Sequence, residues 1–212
     1  MKKKILLILL IILSITLVGC TKEEDKWTID VSKESGEFDT EIQTIFDEAR
    51  ASSKYKSKEL IPIALLGEQV VSGKNYMFLC NYKGKYSVVI VYKDTKGKSK
   101  ITSINDFDPK SFINKKSSND KTVGAWETKI PNYQTQLDEK LQKSFAEAIE
   151  KNVGVTYLPI TVLAHYDNQY ELLSYGRISD RNSTTGVYVI ILNTTNNKIG
   201  PITQVDLADY NK

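Results

Sequence analysis

A chain of 212 residues, 41% of them hydrophobic, has enough apolar content for one or two compact domains. Of its 29 basic residues three are the lysines at 2–4, and the remaining 26 balance the 26 acidic residues, which excludes a nucleic-acid binder that works by neutralising phosphates. Two cysteines and one histidine are too few for a thiolate–imidazole metal site, so neither a metal nor a cofactor is expected.

In chain order, the first element is a leader. Lys2, Lys3 and Lys4 precede an apolar or small stretch from Ile5 to Val18. Its 14 residues are too few for an ordinary spanning helix and suit the core of a signal peptide. The stretch ends in Leu17-Val18-Gly19-Cys20, which resembles the bacterial lipoprotein box. That resemblance implies cleavage of residues 1–19 and diacylglycerol on the Cys20 sulfur. The expected location is the extracytoplasmic side of the cell membrane, held there by lipid, with residues 20–26 as tether. With Cys20 lipidated, Cys80 is the only thiol left and no intramolecular disulfide forms.

Trp27 to Val31 has strand character. Asp39 then suits a helix N-cap, and Ile42, Ile45, Phe46 and Ala49 fall on one helical face. Four strands follow, at Leu60 to Leu66, Tyr76 to Tyr82, Tyr86 to Tyr92 and Ile101 to Ile104, with Gly73, Gly84 and Gly97 at the turns. Lys110 to Thr122 reads as a solvated linker.

The same series then recurs. Trp27, Asp39, Phe46 and Ala49 return as Trp126, Asp138, Phe145 and Ala148 at an offset of 99, and Pro62 returns as Pro159 at 97. Thr135 and Asp138 form a capping box for a helix carrying Leu137, Leu141, Phe145 and Ile149, and strands are expected at Leu158 to Leu163, Tyr170 to Tyr175, Val187 to Leu192 and Ile202 to Val205. Two modules, 27–109 and 123–212, are each of a size that folds independently. The expected class is α+β: one helix wrapped by an antiparallel sheet, in the order β-α-β-β-β-β, twice.

That order is the cystatin order. Gln69-Val70-Val71-Ser72-Gly73 fits the Q-x-V-x-G signature of cystatins and lies between the second and third strands. The resemblance implies a hairpin that enters the cleft of papain-like cysteine proteases without offering a scissile bond. Glycine serves there because the backbone approaches closely and turns tightly. In the second module Gly124, just before Trp126, matches the N-terminal glycine of a cystatin, while Tyr166 stands where the first module has Gln69.

The resemblance thus implies a membrane-anchored, non-catalytic protein-binding protein that inhibits papain-like cysteine proteases. The alternative is a structural or adaptor lipoprotein that holds another envelope protein or a peptide. An enzyme is disfavoured. Cys80 and His165 belong to different modules, and Asp106 and Asp108 read as turn residues after a strand. The tyrosines, mostly on strands, suit packing on a pleated surface.

Overall fold

A computed structural model of the chain describes residues 38–54, 60–113, 127–128, 137–152, 154–178 and 185–210. The leader, Cys20, the expected strand at Trp27 to Val31, most of the linker and Gly124 lie outside the described residues.

Helix α1 (Thr40–Ala51) begins where Asp39 accepts the backbone N–H of Ile42 at 2.8 Å. This is the cap that satisfies one orphan donor of the first turn. Strands β1 (Leu60–Val70), β2 (Gly73–Tyr82), β3 (Lys85–Asp94) and β4 (Ser99–Asp106) form one antiparallel meander in that spatial order. A one-turn helix, α2 (Lys110–Ile113), follows. The second half repeats the plan. Strand β5 (Glu127–Thr128) pairs with β6 (Val155–Tyr166) at His165 and Ala164. Helix α3 (Glu139–Ile149) is capped by Asp138 at 2.8 Å from the Leu141 N–H. Strands β6, β7 (Gln169–Ile178), β8 (Thr185–Asn193) and β9 (Lys198–Val205) make the second meander, and Leu207–Tyr210 forms a closing 3₁₀ turn.

The repeat extends to irregularities. The β1–β2 ladder slips between Pro62 and Ala64 and again between Leu65 and Gly67; the β6–β7 ladder slips between Pro159 and Thr161 and between Val162 and Ala164. Each slip leaves one extra apolar residue, and all four of them (Ile63, Leu66, Ile160 and Leu163) are fully buried in a single cluster. A bulge re-aims a side chain, and here it supplies the contact between the two sheets.

That cluster overturns the expected fold class. The protein is mostly β, two antiparallel sheets with few helices, and each sheet packs on its helix with one face only while the other face enters a core shared between the sheets. The first sheet lays one face on α1 through Phe78, Cys80, Val89 and Val91. The second lays one face on α3 through Leu172, Ile190 and Leu192. The other two faces pack on each other, with Met77, Leu79, Val88 and Ile90 meeting Leu173, Tyr175, Val187 and Val189. The order of layers is helix, sheet, sheet, helix. The physical reason is two-sided burial. Tyr76 to Asn81 and Tyr86 to Val91 are buried at every position, where a wrapped sheet with one wet face alternates.

Polar groups cross the seam in both directions. The Tyr86 hydroxyl donates to the Val162 carbonyl at 2.9 Å, and the Tyr175 hydroxyl donates to the carbonyl of Leu65. Leu65 and Val162 are matching positions of the repeat, each at a bulge of its strand. Asn105 also donates from its amide to the Tyr210 carbonyl at 2.8 Å, tying the last turn to β4.

Candidate binding hairpin and groove

The Gln69–Gly73 segment is the tight turn between β1 and β2, closed by the Val71 N–H donating to the Gly73 carbonyl at 3.1 Å. Its residues divide into two groups. Gln69 is only 4% exposed, and its carboxamide oxygen accepts from the Asn75 amide at 2.7 Å, across the register pair Gln69–Asn75. Gly73 faces Asp94 on β3, and a Cβ placed on it would stand 2.3 Å from the Lys93 carbonyl oxygen and 2.9 Å from the Tyr92 ring. Both signature residues therefore serve the hairpin itself. Val70, 63% exposed, is the large apolar side chain left in solvent among the described residues, with Ser72 also exposed and Val71 half-buried.

Gly73→Ala should accordingly destabilise the protein by about 1–3 kcal/mol, the usual penalty of overpacking against atoms that cannot yield. A urea melt reads this directly, and an unchanged midpoint would refute the contact. An arginine at this position would perturb the fold as well as any binding.

Beside the turn runs a groove of about 470 Å³, lined by Val71, Asn75, Ile90, Tyr92, Lys100, Thr102 and Ser103. Asn75 and Tyr92 continue the alternation of Met77 and Ile90, which face the second sheet. The groove is thus the part of that face that runs past the second sheet's cover. Lys100 sits with its ammonium 5.5 Å from the centre of the Tyr92 ring, a cation–π distance. In the β3–β4 turn Asp94 accepts the N–H groups of Lys96 (2.8 Å) and Lys98 (2.9 Å). The backbone bond from Lys98 leads the effects that hold its carboxyl below the ordinary range. Lys74 pairs with Glu68 at 2.5 Å and Lys93 with Glu41 at 3.4 Å, while Lys96, Lys98 and Lys100 are exposed to solvent.

The second module's hairpin differs. Tyr166 pairs with Gln169, and Asp167 takes a positive φ of 50° at the turn. His165 stands 6.0 Å, ring to ring, from Tyr170. Cys80 is fully buried under α1, where desolvation pushes its thiol well above the ordinary value and suppresses thiolate chemistry. Cys80 and His165 therefore lie in different sheets and do not meet. Asp106 ends β4, and Asp108 accepts the Lys110 N–H at 3.0 Å, as turn residues do.

One residue was missed in the sequence. Glu171 lies two positions before Leu173 and four before Tyr175, on the face that enters the seam, and it is fully buried. Its phase with those two residues, and Met77 at the matching place of the first module, were the available signals.

No protein-family model, curated protein or solved structure matches this chain. Among the described residues no helix is long and apolar enough to cross a membrane.

Proposed function

We propose that the protein is a lipid-anchored, extracytoplasmic binding protein without catalytic activity, and that the β1–β2 hairpin tip with its adjoining groove is its contact face. The observation that carries the reading is Val70, an exposed apolar side chain on a turn locked from behind by Gln69–Asn75 and by the packing of Gly73. A rigid apolar tip loses little entropy on docking, which favours it as an anchor. The sharper version of the proposal makes a papain-like cysteine protease the partner, on the strength of the Q-x-V-x-G match.

A specific observation also favours the adaptor reading, in which the tip holds another envelope protein. The close backbone approach that a cystatin glycine offers its protease is here taken up internally by Tyr92 and Lys93.

The chain lacking only residues 1–20 should be titrated against a panel of papain-like proteases beside its Val70→Asp variant. Competitive inhibition that falls at least tenfold in the variant supports the inhibitor. Absence of inhibition across the panel rejects it and leaves the adaptor. Inhibition untouched by Val70→Asp would remove the hairpin from the contact face altogether.

A further inference from the structure

Glu171 is 0% exposed, and among the described residues neither of its carboxyl oxygens has a hydrogen-bond partner. Within its own sheet it is flanked in register by Ala164 and Ile191, neither of which titrates. From the first sheet it is faced by Tyr86 of β3 and, beyond β4, by Asp108. The Tyr86 hydroxyl is engaged elsewhere, on the Val162 carbonyl, and Asp108 carries the same sign of charge. Lys85 and Lys110 line a cavity of about 330 Å³ with Tyr86 and Asp108, at the end of the seam where Phe107 packs on Tyr86, Phe112 and Tyr210.

The register locates Glu171 where the first module carries Met77: Met77 pairs with Gly67 and Ile90, and Glu171 with Ala164 and Ile191. One of two matching core positions is thus ionisable, with no partner among the described residues to stabilise its charge. Burial first, and the Asp108 charge second, push its carboxyl up to about 8.

We propose that Glu171 is a proton-held latch on the seam between the two sheets. Uncharged, it fills the place that Met77 fills opposite. Ionised, it meets, among the described residues, a tyrosine and a like-charged carboxylate, draws water into the seam and loosens the packing at the Tyr86–Phe107 end. The sign follows from the direction of the shift. From the ordinary value of 4.5 to about 8, the unfolded chain has lost a proton that the folded chain keeps. Stability therefore falls as pH rises through that window and levels off above it.

The experiment compares the chain lacking only residues 1–20 with its Glu171→Gln and Glu171→Met variants. Urea unfolding across the window should show the wild-type folding constant falling, relative to the Gln variant, by up to tenfold per pH unit. Hydrogen exchange should add a local signature. Above pH about 8, β3 and β7 amides in the seam should lose protection relative to Glu171→Gln, while α1 and α3 hold theirs. Equal pH profiles for wild type and Glu171→Gln would overturn the proposal. So would a stability difference without selective loss of protection along the seam, because Glu171 would then be a global term and no latch. Should Glu171→Met fail to fold, the nearly isosteric Gln variant still decides.

Discussion

Severed halves of this protein should not fold. Residues 21–113 and 123–212, expressed apart, are expected to aggregate or to lack cooperative unfolding, whereas the intact chain melts in one transition. The first half would expose Ile63, Leu66, Met77, Leu79, Tyr86, Val88, Ile90 and Phe107, and the second Ile160, Leu163, Leu173, Tyr175, Val187, Val189, Val205 and Leu207. At about 1.5–3 kcal/mol for each large side chain taken from a buried to an exposed state, either loss outweighs the whole margin of about 5–15 kcal/mol on which a domain stands. Mixing the halves should restore the fold, because the seam needs both faces and not the link between them. Circular dichroism and a urea melt of the 123–212 fragment check this. A fragment that melts cooperatively as a monomer would show that the seam is not a shared core.

The largest single-residue loss should come from Phe46→Ala, at about 3–5 kcal/mol. Phe46 is 0% exposed, its ring meets Phe78 edge-on at 5.0 Å, and the Arg50 guanidinium carbon lies 5.9 Å from the ring centre. The cavity would open between a helix and a sheet that is itself pinned on its far side, so collapse is restricted and the cost sits toward the upper end. Phe145→Ala, at the matching place on α3, should cost nearly as much, since that ring is only 4% exposed. Urea midpoints of the two variants test the equivalence. A loss under about 1 kcal/mol for either would mean that its helix is not anchored there.

Local structure was legible in the residues. Asp39 caps its helix as expected, and Ile42, Ile45, Phe46, Ala49, Leu141 and Phe145 are buried on the helical faces their spacing predicts. The second helix, however, is capped by Asp138 itself and not by the expected Thr135–Asp138 box, so Leu137 precedes it. The strands of both meanders fall where their β-branched and aromatic runs place them, extended by a few residues at the ends. The packing of the sheets was not legible from alternation. Val88 to Val91 reads equally well as one buried strand of a wrapped sheet or of a double layer, because periodicity reports burial and not what does the burying. The better signal was the unbroken apolar run from Leu60 to Leu66 around Pro62, echoed from Tyr157 to Leu163 around Pro159 with Thr161 as its one polar residue. A strand covered on one side has no use for so many consecutive apolar residues. The motif had the same ambiguity: Gln69 and Gly73 match a signature read elsewhere as a contact surface, yet here one closes a side-chain bond and the other makes room for Tyr92.

Covering both faces of both sheets has a consequence for how such a protein can acquire or change a partner. Most positions along β2, β3, β7 and β8 answer to two neighbours at once, so a substitution there is judged by the helix on one side or by the opposite sheet on the other. Freedom to vary is left to the turns, such as Val71-Ser72, Thr95 to Lys98 and Asp167-Asn168, and to the outer margins of β4 and β9, which pair with no further strand among the described residues. New specificity would therefore be written in short turn segments carried on an unchanging frame, one set at the end of each half. The two copies already differ most plainly there: a valine tip beside lysines in one, and an aspartate–asparagine turn between Tyr166 and Gln169 in the other.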